Sequence, residues 1–240
     1  MSLNIAQIQT AAAAIGVTLS DDQVGMFARY RDLLVEWNER FNLTSMIDDT
    51  SILLRHFMDS LTVLHTLPVK RGISLLDVGT GAGMPGIPLK IARPDIDVTL
   101  MDSTGKKIDF CAAVIADLQL ADIHTLKARS DEAAHLREHR AQYDAVVARA
   151  LAPLPTLVEY LLPFARAGGL CIAMKGSDAQ VESDQAARAI RTLGGALERI
   201  EAVTLPGLPD ERALVIIRKA KPSPSLYPRA GGKPRTAPLT

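Results

Sequence analysis

The sequence predicts an α/β fold: a seven-stranded, mostly parallel sheet whose last strand runs antiparallel, preceded by a small helical N-terminal region. Three observations predict it. Apolar residues recur at three- and four-residue spacing over the first 66 residues. From Ile73 onward short apolar runs alternate with helical stretches, the pattern of βαβ units. The first of those runs, Leu75-Leu-Asp-Val78, leads straight into Gly79-Thr-Gly-Ala-Gly83, where a strand can turn into a helix with its backbone bare of Cβ atoms. A chain of 240 residues suits one such domain with an appendage and is a tight fit for two.

Taken in order, Ile5, Ile8, Ala12 and Ile15 mark the face of a first helix that stops at Gly16. Ser20-Asp-Asp-Gln23 has the spacing of a capping box and opens a second helix. Its stripe of Val24, Phe27, Tyr30, Leu34, Trp37 and Phe41 is core rather than a base-stacking platform, and Asn42 beyond it suits a cap as well as an RNA contact. A third helix from about Thr50 puts Leu53, Phe57, Leu61 and Leu64 on one face and Arg55, His56 and Asp59 on another, and that second face suits a site. Strands are expected at 73–78, 97–102, 124–128, 144–148, 169–174, 198–204 and 213–218, with helices near 86–92, 104–118, 131–138, 155–165 and 179–193. Pro206-Gly-Leu-Pro-Asp210 leaves no room for a crossover helix, so the last two strands should pair antiparallel. Prolines at 222, 224, 228, 234 and 238 predict an extended tail, disordered until it binds something. The expected division is a helical extension over 1–66, the α/β domain over 67–220 and a basic, proline-rich tail over 221–240.

Lysine plus arginine equals aspartate plus glutamate at 27 each, so overall charge argues for no partner, but residues 212–240 hold seven basic residues and no acid. Cys111 and Cys171 lack metal-site or disulfide spacing and read as reduced core residues; no metal is expected. The N-terminus lacks a basic leader and Ala11 to Ala14 is too short to span a membrane, so the expected compartment is the cytoplasm and no membrane partner is expected.

A dinucleotide oxidoreductase would show G-x-G-x-x-G, and counted from Gly79 that spacing fails because position 84 is Met. The form D-x-G-x-G-x-G, with Asp77 ahead of Gly79, Gly81 and Gly83, instead resembles motif I of class I methyltransferases that use S-adenosylmethionine. That resemblance implies a Rossmann-like sheet, a loop passing under the methionine moiety and an acid, Asp77, ordering the site around its ammonium group. Asp102 ends the next strand at about the 20-residue offset where a carboxylate meets ribose hydroxyls in such folds.

Further motifs narrow the likeness. Glu36-Trp-Asn-Glu-Arg-Phe-Asn-Leu-Thr-Ser45, Arg55-His-Phe-Met-Asp-Ser-Leu61, Asp77 to Pro88, Leu100-Met-Asp-Ser-Thr-Gly-Lys-Lys107, Val147-Ala-Arg-Ala150, Met174-Lys-Gly176 and Tyr227-Pro-Arg-Ala-Gly-Gly-Lys-Pro234 together resemble the RsmG family, also called glucose-inhibited division protein B. The resemblance implies methylation of guanine N7 in bacterial 16S ribosomal RNA, with 16S rRNA or the small subunit as partner; no obligate protein partner is evident in the sequence. It implies that Gly79, Met84, Ser130, Asp131 and Arg149 line the S-adenosylmethionine site. Met84 stands where Leu is more frequent and Asp131 where Glu is commoner.

Guanine N7 offers a free lone pair and the cofactor an activated methyl, so no catalytic acid or base is expected and rate should come from alignment. The A-form groove hides N7, so the target should be a loop or an extruded base. Candidate RNA contacts are Arg55, His56, Arg149 and Lys175, with Arg229, Lys233 and Arg235 on the tail. Two other readings stay open: a class I methyltransferase for another acceptor, and a noncatalytic rRNA-binding assembly factor, against which the intact Gly79, Gly81, Gly83 and Asp102 argue.

Overall fold

The computed structural model describes residues 5–239. Helix α1 (Ile5–Ala14) is followed by α2 (Asp21–Phe41), opened by the capping box: Ser20 Oγ accepts from Gln23 N at 3.3 Å and Gln23 Oε1 accepts from Ser20 N at 2.8 Å. Asn42 ends α2 in the left-handed conformation (φ 48°, ψ 57°), the capping role. The next helical run is irregular where a single regular helix was expected. It passes from α3 (Asp49–Ser51) into a π-helix (Ile52–Met58), then α4 (Asp59–Leu61) and a 3-10 turn (Thr62–His65). The wider π turn buries Ile52, Leu53, His56, Phe57 and Met58 together, and carries His56 inward with the apolar side chains.

The sheet follows the expected alternation: β1 (Ser74–Val78), α5 (Gly86–Ala92), β2 (Asp97–Asp102), α6 (Gly105–Asp117), β3 (Ile123–Lys127), α7 (Ser130–Ala133), β4 (Tyr143–Arg149), α8 (Leu154–Leu161), β5 (Ala165–Lys175), α9 (Ala179–Thr192), β6 (Gly195–Val203) and β7 (Arg212–Lys219), with α10 (Lys233–Thr236) in the tail. Strand order is β3-β2-β1-β4-β5-β7-β6, with β7 antiparallel to both neighbours. Helix α7 is shorter than the expected 131–138: Arg140 Nη1 takes the Ala134 carbonyl at 2.8 Å, the acceptor a continuing helix would use.

The strands alternate between two apolar layers, as a sheet covered on both faces requires. Leu75, Ala145, Val147 and Ile172 join the layer containing Val24, Phe27, Tyr30 and Phe110, so the N-terminal helices share one core with the sheet. Leu76, Val146, Ala148 and Ala173 face Leu157, Val158, Leu161 and Ile190 of α8 and α9. Cys111 and Cys171 are free and buried. Among the described residues no helix is long and apolar enough to cross a membrane.

The tail departs from the sequence reading, which made it extended and disordered. It folds back along the body: Arg140 donates to the Tyr227 carbonyl, Thr156 Oγ1 to the Pro234 carbonyl, each at 2.8 Å, and His135 Nε2 lies 2.8 Å from the Pro228 carbonyl. Proline removes backbone donors but keeps its carbonyl acceptors, and the Tyr227, Pro228 and Pro234 carbonyls meet side chains of the body, which helps to hold this segment.

Candidate cofactor and substrate site

Strand β1 lies between β2 and β4, so the strand order reverses beside it and a crevice opens at its C-terminal edge. Residues 79–83 fill that edge. Gly79 N and Thr80 N donate to the Met101 carbonyl at 2.8 and 3.0 Å, and Gly81 N donates to Asp102 Oδ2 at 3.1 Å, which ties the loop to the end of β2. Asp102 Oδ1 accepts from Thr104 N at 2.8 Å, so the carboxylate is held rigidly at the crevice. Gly81 has φ +60°, and a Cβ there would meet only the Gly79 carbonyl at 4.0 Å; its missing side chain leaves open space.

Two motif residues singled out in the sequence are turned inward and line neither cavity at this edge. At Gly83 a Cβ would lie 2.4 Å from Ile87 Cδ1 and 2.8 Å from Tyr30 Oη, so this glycine serves close packing of α5 and α2. Asp77 is fully buried beneath the loop, its Oδ2 accepting from Thr80 Oγ1 at 2.6 Å and Gly86 N at 2.9 Å. Burial pushes its carboxyl up to about 6, against the pull of those two donors, and Oδ1 has no hydrogen-bond partner. Asp77 thus organises the loop from behind; the spacing that identified it carried no information about which way it points.

A cavity of about 870 Å³ brings together Gly79, Asp102, Ser130, Asp131 and Arg149. Ser130 Oγ donates to the Tyr160 carbonyl at 3.0 Å. Asp131 is gripped by Arg129 through Nε and Nη2, both at 2.9 Å, and accepts from Gly232 N at 3.4 Å. Burial acts to raise its pKa, but the Arg129 guanidinium and the Gly232 amide prevail and hold the carboxyl below its ordinary range.

A second cavity, about 640 Å³, contains Gly81, Met84, Arg55, His56, Asp59 and Lys175. Gly79, Lys107, Arg149 and Ala150 line both, so the two chambers meet at the ends of β1 and β4. Arg149 is fixed at the junction. Its Nη1 donates to the Arg55 carbonyl at 2.8 Å and to Asp59 Oδ2 at 3.3 Å, and its Nη2 lies 3.3 Å from Met84 Sδ and 3.5 Å from His56 Nδ1. Asp59 Oδ1 lies 3.1 Å from Arg212 Nε, so one carboxylate bridges two guanidiniums. His56, only 4% exposed, is pushed down to about 4 by burial and by Arg149, and is therefore neutral at physiological pH.

The cationic candidates divide by partner. Arg55 pairs with Asp210, and Lys175 Nζ lies 2.7 Å from Glu182 and donates to the Ala152 carbonyl at 2.8 Å. Arg229, expected on an RNA-facing arm, points inward: Nε and Nη2 reach Glu159 at 3.0 and 2.8 Å, because that carboxylate is fully buried in α8 and takes the arginine as its counter-ion. His56, being neutral, adds no charge for phosphate. Lys233 and Arg235 are exposed, with no ion pair to another described residue. Sequence reasoning missed Arg129, Lys107 and the tail glycines as cavity residues; Arg129 was detectable as the cation two positions before Asp131, whereas the others needed the tertiary fold.

S-adenosylmethionine fits this edge: open space at Gly81 and a carboxylate rigidly presented at the end of β2. A family model described as rRNA small subunit methyltransferase G matches residues 23–214. The chain belongs to this family. Among curated relatives, ribosomal RNA small subunit methyltransferase G of Desulforamulus reducens is 44% identical over 232 residues, covering 97% of both chains. The protein of the same name from Pelotomaculum thermopropionicum is 43% identical over 239 residues, covering 100% of each. Of solved structures, a SAM dependent methyltransferase from Aquifex aeolicus has a TM-score of 0.53 at 18% identity, covering 72% of this chain and 95% of that one. A ribosomal protein L11 methylase from Lactobacillus delbrueckii subsp. bulgaricus has a TM-score of 0.51 at 18% identity, covering 70% and 79%. These structural likenesses establish the class I methyltransferase fold, and family membership makes the chain an S-adenosylmethionine-dependent methyltransferase.

Proposed function

We propose that the protein transfers a methyl group from S-adenosylmethionine to N7 of a guanine in 16S ribosomal RNA, working in the cytoplasm on the small subunit or its rRNA. The observation that carries this reading is the meeting of two chambers at Gly79 and Arg149, one reaching the Asp102 carboxylate at the end of β2 and the other bordered by Met84, Arg55 and Lys175, in a chain of the small-subunit methyltransferase family. When bound, the cofactor supplies a methyl carbon activated by a sulfonium, and N7 supplies an unprotonated lone pair.

The protein's own work is therefore alignment. Gly79 and Asp102 bind and orient on the first chamber's side, with Ser130 and Asp131 at its far wall, while Gly81 opens toward the second chamber. Met84 gives an apolar surface beside the junction, and Arg149, locked by Asp59 and the Arg55 carbonyl, fixes its geometry. Held in line, two reactants gain up to roughly 7–11 kcal/mol from orientation. Neutral His56 neither repels nor protonates the base. Lys175, Arg55, Lys233 and Arg235 offer phosphate contacts, the first two at the cost of sharing their acids. In this reading residues 1–66 serve as the helical extension, 67–220 as the methyltransferase domain and 221–240 as the tail.

The test is transfer of radiolabelled methyl to small-subunit rRNA from a strain lacking the modification, with the product mapped by alkali-induced scission at N7-methylguanine. Transfer to protein or a small molecule alone overturns the rRNA assignment.

A further inference from the structure

We propose that the C-terminal segment is part of the cofactor site: residues 230–236 form the outer wall of the S-adenosylmethionine chamber, latched by Arg229 onto buried Glu159. The inference rests on the cofactor reading above. Gly231, Gly232 and Arg235 line the same cavity as Gly79, Asp102 and Asp131. Gly232 N donates to Asp131 Oδ2, so the tail backbone touches an acid of the cofactor wall directly. Gly231 and Gly232 both have positive φ, +67° and +72°, and a Cβ on either would meet nothing within 4 Å. Open backbone therefore borders the chamber on the tail side.

The latch makes this arrangement a property of the fold rather than a chance contact. Glu159 is fully buried, and among the described residues its carboxylate accepts only from the Arg229 backbone N–H, Nε and Nη2, at 2.7 to 3.3 Å. A tail swung away would leave that carboxylate without a counter-charge inside α8, so the docked state is the favoured one. The Thr156 to Pro234 hydrogen bond secures the segment just beyond the glycines. An arm meant for RNA would keep its arginines outward; here the first one is spent on anchoring, and Arg235 lies at the cavity rim.

Calorimetry with S-adenosylhomocysteine tests this on the full chain, on a chain ending at residue 226 that also carries Glu159→Gln to neutralise the orphaned acid, and on Gly232→Val. Both variants should bind at least tenfold more weakly than the full chain. Saturating S-adenosylhomocysteine should slow tryptic cleavage of the Arg235–Thr236 bond in the unmodified protein at least fivefold, a readout independent of variant folding. Truncated protein that binds with full affinity, or cleavage indifferent to the ligand, overturns the proposal. So does a truncation that loses only rRNA binding, which would make the tail an RNA arm. Failure of the full chain to bind the ligand overturns the cofactor reading as well, which separates the two.

Discussion

Tyr30 in α2 donates its hydroxyl hydrogen to the carbonyl of Ala82, in the middle of the glycine loop. A side chain from the N-terminal helices thus holds the backbone that the cofactor must meet, while its ring stacks between Phe57 and Phe110 at 5.3 and 6.3 Å.

Tyr30→Phe keeps the rings but leaves the Ala82 carbonyl unpaired in a buried place. The expected cost is about 1–3 kcal/mol of stability, read from urea unfolding, with a several-fold weaker affinity for S-adenosylmethionine by calorimetry. Unchanged affinity would separate the helical region from the cofactor loop.

Two glycine substitutions should act in opposite ways. Gly81→Val fills the open space and should abolish cofactor binding with a fold cost of about 1–2 kcal/mol from its φ of +60°. Gly86→Ala puts a methyl 2.3 Å from Leu100 Cδ2 and should destabilise by about 1–3 kcal/mol through overpacking. Binding isotherms and thermal melts on the same two proteins distinguish them.

Asp59→Ala removes the carboxylate between Arg149 and Arg212. Transfer to rRNA should fall at least tenfold while cofactor affinity stays within about threefold, since Asp59 lines the second chamber and not the first. A parallel loss of cofactor binding would place its action on the other side of the junction.

His56 and Asp77 give opposing pH dependences. His56 titrates near 4 in the fold against 6.5 unfolded, so the unfolded chain binds more protons and stability falls as pH drops from about 6.5 to 4. Asp77 titrates near 6 against 3.8, so the folded chain binds more protons and stability rises as pH drops from about 6 to 4. Each amounts to about 3 kcal/mol, and together they nearly cancel. Relative to the unmodified protein, Asp77→Asn should lose stability more steeply on acidification and His56→Gln less steeply, measured as urea midpoints from pH 7 to 4.

Much of this architecture was legible in the chain. Strand and helix positions follow from local periodicity, the α2 start from Ser20 and Gln23, and the crevice from the acid and glycines after β1. What escaped depends on distance along the chain. Arg55 meets Asp210 across 155 positions and Arg229 meets Glu159 across 70, so charge counting saw free cations where the fold makes pairs. Asp77 and Gly83 obey the motif spacing, but spacing does not say which side of a loop faces the crevice. The tail reads as disordered because its anchors lie on other elements.

The π-helix at Ile52–Met58 sets the rotational phase of everything after it. Its i→i+5 bonding accommodates one residue more than an α-helix would over the same rise. Excising a single residue there would let the segment rewind as ordinary α-helix and swing the side chains on its two ends out of step by about 100°. The elements on either side of the segment would then turn relative to each other, and the placement of Arg55, His56 and Asp59 around Arg149 would change. The second chamber's shape is thus stored as a miscount in a helix.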